Sequence, residues 1–269
     1  MPPQLSIITI NLNNLEGLKK TMQSVFEQTF TDYEYIIIDG GSTDGSKEYI
    51  EQHADKLAYW VSEKDGGIFN AMNKGIGVAK GEYLIFENSG DYFYSENVLK
   101  DVFGQSPTED IIYGNVKWWP VNYNGNYPDK LTFEHFRHNT IPHQGAFIRK
   151  NLFETVGLYD EEYTVNSDWN FFVLAIYKFN SSYRHIDTII SYCNTDGVSL
   201  TLEGSAETGR IRKEFIQRYF GAFENDLMKL EENKQENQYY KNLMQQRIMK
   251  YAFRVNKQYQ RIRKALKRR

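Results

Sequence analysis

The run Leu5-Ser6-Ile7-Ile8-Thr9-Ile10 constrains this chain more than any other segment, because a short β-branched stretch of this kind is expected in the buried interior of a sheet. Asn11 to Asn14 reads as a loop, after which Leu15, Leu18, Met22, Val25 and Phe26 recur at helical spacing. Tyr35-Ile36-Ile37-Ile38 then gives a second buried strand, so the opening is a strand-helix-strand unit. The alternation continues with a turn from Asp39 to Ser46, a short helix to about His53 and a strand near Tyr59 to Val61. A helix from Ile68 to Val78 and a strand from Tyr83 to Phe86 follow. Such alternation predicts an α/β fold with a mostly parallel sheet flanked by helices.

Order is less regular downstream. Ile111 to Tyr113 and Ala146 to Ile148 read as strands and Asp168 to Tyr177 as a helix, whereas residues 118–128 are aromatic and turn-rich without clear period. Thr195 to Ser205 reads as a loop, and from about Glu207 the composition is helical with no proline to the end. The expected organisation is an α/β domain over 1–205 and a helical extension over 206–269. Cys193 has no partner for a disulfide, which fits a reducing compartment. No basic, apolar leader opens the chain and no run of about 18 apolar residues exists, so a cytoplasmic protein without a membrane span is expected.

In an open parallel sheet, ligands bind where loops leave the carboxyl ends of the strands. The loops at 11–14, 39–46, 63–67 and 87–91 all occupy that position, and three of them carry an aspartate: Asp39, Asp65 and Asp91. Asp, Asn and Gly are also ordinary turn formers and caps, so each loop alone has a purely local explanation. A row of carboxylates along one sheet edge points instead to a polar ligand. Gly75-Ile-Gly77-Val-Ala-Lys-Gly81 approximates a dinucleotide fingerprint, but Lys80 holds the third glycine position and the segment closes a helix rather than opening one. A dehydrogenase is disfavoured on that ground. No histidine spacing suits zinc.

Four segments, in order, carry a family resemblance: Ser6-Ile-Ile-Thr-Ile-Asn-Leu-Asn13, Ile38-Asp-Gly-Gly-Ser-Thr-Asp-Gly-Ser46, Ser62-Glu-Lys-Asp-Gly-Gly-Ile-Phe-Asn-Ala-Met-Asn-Lys-Gly75 and Gly81-Glu-Tyr-Leu-Ile-Phe-Glu-Asn-Ser-Gly-Asp91. They resemble the signatures of the family 2 glycosyltransferases, over roughly residues 4 to 200. The resemblance implies a GT-A fold, a nucleoside diphosphate-sugar donor, Mg²⁺ or Mn²⁺, and inverting transfer to a saccharide or lipid-linked saccharide in surface polysaccharide assembly. It implies donor contacts from Ile10, Asn11, Asn13, Asp39, Asp65 and Ser89. Asn73 is open between orienting the donor and capping a turn, and Lys74 between meeting diphosphate charge and lying solvated on a helix. Asp91 matches the last aspartate of the family's metal motif, where a hard oxygen ligand suits either ion; Gly90 departs from the two-acid version. Asn166-Ser167-Asp168-Trp169 resembles the motif that carries the base, which makes Asp168 the expected catalytic residue, although an aspartate in a first helical turn also complements the helix dipole. His143-Gln144 resembles a pair in a bacterial subset of the family and marks His143 as a donor or acceptor contact. Trp118, Trp119 and Tyr123 are open between stacking on a sugar and packing in a core. A competing reading, prompted by Gly90 and by Met72 where many relatives have arginine, is a nucleotide-sugar-binding module of the same fold without activity.

The formal net charge of −3 is a sum of opposed parts. Residues 241–269 hold 11 basic residues and no acid, and the remaining 21 basic against 35 acidic residues leave −14 on residues 1–240. On a helix, Lys250, Arg254, Lys257, Arg261, Lys264 and Arg268 fall within about 80° of one another, largely opposite Met244, Ile248, Tyr251, Val255, Tyr259, Ile262 and Leu266. Such a basic amphipathic helix fits an anionic membrane surface, which would make the protein peripheral on the inner face of the membrane. It equally fits packing on the catalytic domain or on another subunit, so an oligomer stays open. Nucleic acid is not an expected partner, since no stacking platform or reading motif accompanies the charge.

Overall fold

A computed structural model describes residues 2–121, 123–195 and 201–266. Its strands are β1 (Leu5–Asn11), β2 (Tyr33–Asp39), β3 (Tyr59–Ser62), β4 (Tyr83–Phe86), β5 (Tyr92–Phe93), β6 (Ile111–Trp119), β7 (Tyr123–Gly125), β8 (Ala146–Arg149) and β9 (Tyr183–Asn194). Its helices are α1 (Leu15–Phe26), α2 (Ser46–Glu51), α3 (Ile68–Val78), α4 (Val98–Phe103), α5 (Phe133–His138), α6 (Leu152–Thr155), α7 (Ser167–Val173) and α8 (Leu202–Leu266). Compact packing divides the chain into Met1–Arg212 and Lys213–Arg269.

The nine strands form one sheet in the order β3-β2-β1-β4-β8-β6-β9-β5, with β7 paired to β6. β1 through β4 are mutually parallel, β8 reverses direction between β4 and β6, and β9 runs parallel to β6. The mostly parallel α/β sheet expected from the alternating pattern is therefore present. Every residue of β1 is buried, and Ile7, Ile37 and Ile85 enter a core shared with Leu18, Met22 and Val25 of α1. Each such aliphatic side chain contributes about 1.5–3 kcal/mol through burial. Asn14 caps α1, its Oδ1 accepting from Gly17 N at 3.1 Å.

Two of the three glycines of the false dinucleotide fingerprint, Gly75 and Gly81, are packing residues. A Cβ at position 81 would stand 2.4 Å from the backbone nitrogen of Ser6, and one at position 75 would stand 2.5 Å from Ile8 Cγ2. Both glycines let other segments close onto β1.

Three differences from the sequence reading have local causes. β9, the longest strand, carries Arg184, His185 and Asp187, whose charges obscure a strand pattern. Those charges are engaged: Arg184 lies 3.7 Å from Glu109, His185 Nδ1 lies 2.7 Å from Asp129 Oδ1, and Asp187 Oδ1 accepts from Asn115 Nδ2 at 3.0 Å. The aperiodic stretch at 118–128 is the end of β6 folding back on β7, with Trp118 opposite Tyr123. Finally, α8 starts inside the expected loop because Thr201 caps it, its Oγ1 accepting from Gly204 N at 3.0 Å; residues 196–200 lie outside the described residues. Within Lys213–Arg269 the backbone is helical to Leu266 except at Phe220, where φ is −135°.

Candidate active site

The parallel register sets the first half of the site. Asn11 pairs with Asp39, and Asp39 with Ser62, so three polar side chains stand in a row at the carboxyl ends of β1, β2 and β3. Asp39 is fully buried. Its Oδ1 accepts from Asn11 Nδ2 at 2.7 Å and Ser42 Oγ at 2.6 Å, and its Oδ2 from Ser42 N at 2.9 Å and Ser62 Oγ at 2.6 Å. Burial works to raise this carboxyl, but the hydrogen bonds from Ser42, Ser62 and Asn11 outweigh it and hold it below the ordinary range. Asn13 laces the same loops together, its Oδ1 accepting from Thr43 N at 2.8 Å while its own N–H donates to Ser42 Oγ at 2.7 Å. Asp65 borders this end: its Oδ1 accepts from Gly67 N at 2.9 Å, and a Cβ at Gly40 would come within 2.7 Å of its Oδ2. Ile10 is buried and contributes its carbonyl, which accepts from Ser89 N at 3.1 Å.

The second half is a pocket of about 320 Å³ where Asn14, Ser89, Asp91, His143 and Asp168 converge with Met72, Trp118 and Val165. Asn14 joins the halves, since Nδ2 of this α1 cap donates to Ser89 O at 2.8 Å. Asp91 is 6% exposed; its Oδ1 accepts from Asn194 N at 2.8 Å and its Oδ2 from Gln144 Nε2 at 3.0 Å. Burial raises its carboxyl above the ordinary value, against the lowering effect of those two bonds and of His143. Gly90 stands at φ 104°, with the Asn14 and Asn194 amides 3.3 Å from where a Cβ would be. A side chain at that position would be strained.

Asp168 opens α7. Its Oδ2 lies 3.1 Å from His143 Nδ1, and its Oδ1 accepts from Trp169 N at 2.9 Å. With the proton on Nδ1, His143 donates to Asp168 while its Nε2 accepts from Asn88 Nδ2 at 3.1 Å, so both ring nitrogens are engaged. Burial works to raise the Asp168 carboxyl, yet the hydrogen bond of His143, the Trp169 N–H and the Arg212 guanidinium outweigh it and hold it below the ordinary range. Arg212 lies over the Trp169 ring at 5.1 Å.

Asn73 and Lys74 do not line this pocket. Asn73 Nδ2 donates to Tyr159 O and Glu161 Oε1, both at 2.8 Å, and its Oδ1 accepts from Tyr159 N at 3.1 Å, so this amide ties α3 to the segment preceding α7. Lys74 Nζ pairs with Glu63 Oε1 at 2.7 Å. Trp118 lines the pocket, while Trp119 and Tyr123 are exposed outside it. Reasoning from sequence missed Glu87, Asn88, Gln144, Asn194 and Arg212. Gln144 had a signal in its adjacency to His143; Asn194 had none, because it reaches Asp91 only through the unforeseen pairing of β5 with β9.

Among the described residues no group of three His, Cys, Asp or Glu side chains could hold a metal by itself. The carboxylate present fits the other mode of binding, in which Mg²⁺ or Mn²⁺ takes one protein carboxylate and completes its shell with diphosphate oxygens and waters. Asp91 is buried, and each of its oxygens accepts one protein hydrogen bond, leaving acceptor capacity for a cation.

Comparison with known proteins bears on the fold and the family. A PGL/p-HBAD biosynthesis glycosyltransferase of Mycobacterium bovis (strain BCG / Pasteur 1173P2) is 31% identical over 224 residues, covering 80% of this chain and 84% of the relative. Among solved structures, S. aureus TarS 1-349 in complex with UDP-GlcNAc superposes with a TM-score of 0.63 at 18% identity, over 80% of this chain and 66% of that one. A mannosyltransferase from Pyrobaculum calidifontis, in complex with GDP-Man and Mn²⁺, gives a TM-score of 0.56 at 16% identity, over 79% and 61% of the two chains. These likenesses show the fold to be that of the GT-A transferases. The model of glycosyl transferase family 2 matches residues 6–159, and the chain belongs to that family.

Proposed function

We propose that this glycosyltransferase moves a sugar from a nucleoside diphosphate donor to a hydroxyl of a saccharide, free or lipid-linked, with inversion at the anomeric carbon, in surface polysaccharide assembly. The observation that carries the reading is the meeting in one pocket of an ionised base, Asp168, and a diphosphate-side carboxylate, Asp91. The row Asn11, Asp39, Ser62 and the flanking Asp65 receive the nucleoside; that proteins of this fold, TarS and the Pyrobaculum mannosyltransferase, form complexes with UDP-GlcNAc and GDP-Man supports a nucleotide-sugar donor. Asp168 removes the proton of the acceptor hydroxyl as its oxygen attacks the anomeric carbon and the bond to the diphosphate breaks. His143, bonded to Oδ2, and the Trp169 N–H, bonded to Oδ1, fix the carboxylate and leave each oxygen a lone pair for the acceptor. Asp91 would hold a divalent ion, and the ion would neutralise charge on the leaving diphosphate. The rival reading, an inactive binding module prompted by Gly90 and Met72, predicts no transfer by the wild type.

A thermal-shift screen of nucleotide sugars with Mn²⁺ tests the donor assignment. One donor at about 100 times its Kd is expected to raise the Tm by roughly 5–10 °C, and Asp91→Ala to remove most of that shift. A flat response across all nucleotide sugars would overturn it.

For residues 241–269 we propose an anionic lipid leaflet as the partner. A surface that accepts both an apolar stripe and 11 uncompensated positive charges has to offer apolar and anionic groups in one plane. Met244 and Ile248, at the start of the stripe, are 56% and 62% exposed, and no described helix is long and apolar enough to cross a membrane. The whole chain is expected to sediment with phosphatidylglycerol-containing vesicles at low salt, and a chain ending at Tyr240 to stay in the supernatant while keeping its donor-induced thermal shift. Equal sedimentation of the two would remove the membrane from the account and leave protein packing as the role of the stripe.

A further inference from the structure

Glu87, at the end of β4, is fully buried, and its side chain has no part in the mechanism above. Its backbone is pinned, with its N–H donating to Ile8 O at 3.0 Å and its carbonyl accepting from Thr9 Oγ1 at 2.7 Å. Its Oε1 shares a short hydrogen bond with Ser191 Oγ, and its Oε2 makes no hydrogen bond among the described residues. Ser191, on β9, is likewise fully buried and lies 2.9 Å from the backbone oxygen of Gln144.

Ser191 has one hydroxyl proton and two acceptor neighbours, Glu87 Oε1 and Gln144 O. A backbone carbonyl can only accept, so an ionised Glu87 competes with Gln144 for the one serine proton. Both contacts are satisfied at once when Glu87 is a neutral acid that donates to Ser191. Neutrality also accounts for the bare Oε2, since an ionised oxygen without partners in this interior would be costly. Burial and the nearby Asp91 charge push the Glu87 carboxyl well above the ordinary range, in the same direction.

We infer that Glu87 is a positioning residue for the donor end of the site: its acid proton sets Ser191, Ser191 holds the Gln144 backbone, and the Gln144 amide holds Asp91 Oδ2. The chain of contacts is continuous, ending in the 3.0 Å bond from Gln144 Nε2 to Asp91. It links three separate segments, β4, β9 and the 3₁₀ turn at His143–Gly145, behind the one carboxylate assigned to the cation and diphosphate. The inference rests on that assignment of Asp91. It gives a buried acid, at the position four residues before Asp91, the task of orienting a carboxylate rather than adding a second ligand.

Titration calorimetry with UDP and with GDP, each with Mn²⁺, tests it on the full chain and on Glu87→Gln, Glu87→Ala, Ser191→Ala and Asp91→Ala. The nucleotide that binds the wild type is expected to bind Glu87→Gln within about twofold, because the amide nitrogen can donate to Ser191 as the acid does. Glu87→Ala and Ser191→Ala are expected to weaken it by about tenfold, the worth of one hydrogen bond in this setting. A purely structural role would lower the Tm of both alanine variants and leave the affinity of the folded protein alone. Where a Glu87 variant fails to fold, Ser191→Ala decides by the same affinity, and carboxyl-labelled glutamate NMR of the wild type at pH 7 is expected to show one protonated side chain. Wild-type affinity in Ser191→Ala, or no protonated glutamate, overturns the inference while a loss in Asp91→Ala keeps the donor assignment. Unchanged affinity in Asp91→Ala overturns the donor assignment and with it this role for Glu87.

Discussion

Asp168→Asn is expected to lower turnover by about 10²–10⁴-fold, the usual worth of a positioned general base, while nucleotide affinity stays within about twofold. The amide keeps the shape and can still accept from His143 Nδ1 or from Trp169 N, but it cannot take a proton. Single-turnover transfer measured beside nucleotide binding separates the two effects. Turnover within tenfold of the wild type would mean that another group is the base. The pH profile gives a second check. Because the folded Asp168 carboxyl sits below its ordinary value, the free enzyme keeps its base ionised as the pH falls through the usual carboxylate range near 4. The acid limb of kcat/KM is therefore expected below that range, as far as the fold survives there.

The largest loss of stability is expected from Asp39→Leu. Four hydrogen bonds from Asn11, Ser42 and Ser62 end on this buried carboxylate, and a leucine removes all four, leaving Asn11 Nδ2 its 3.2 Å bond to Ser42 Oγ and the serine groups without this acceptor. Orphaned buried donors cost about 1–3 kcal/mol each, so a total of about 3 kcal/mol or more is expected, or roughly 6–12 °C in Tm for a chain of this size. Asp39→Asn should cost less, since one oxygen survives. The sign with pH follows from the depressed carboxyl. Its contribution is complete above the ordinary carboxylate value and is lost as pH falls through the lower folded value. Urea midpoints of the wild type and Asp39→Asn should therefore converge below about pH 4. A gap that stays constant to pH 3 would show that the deficit is one of packing rather than charge.

These two aspartates also mark how far the amino-acid sequence could be read. Asp39 was legible because two buried strands at either side of a helical stretch define a parallel pair, and the residue after the second strand falls on the ligand edge by geometry alone. Asp168 was legible only through its resemblance to a family motif; nothing in its own neighbourhood separates it from a helix-dipole aspartate. Its partners were harder still. His143 stood out by type but not by role, for it lies 25 residues from Asp168 and 55 from Asn88, and no local pattern encodes either contact. Arg212 lies on α8, far along the chain from α7. The strand that carries Ser191 and Asn194 stayed hidden because its solvent-side and paired charges break the alternation that marks a half-buried strand.

β9 has a further consequence, for the order in which the protein is built. The row Asn11, Asp39 and Ser62 is assembled from the first 62 residues, which pair with near neighbours and emerge early during synthesis. The Asp91 end depends on a hydrogen bond to Asn194, 103 residues later, and on β5 finding β9. Closing so long a loop is slow compared with local pairing. Until residue 194 has been synthesised the Asp91 end lacks one of its two hydrogen bonds, whereas every residue of the Asn11, Asp39 and Ser62 row is already present.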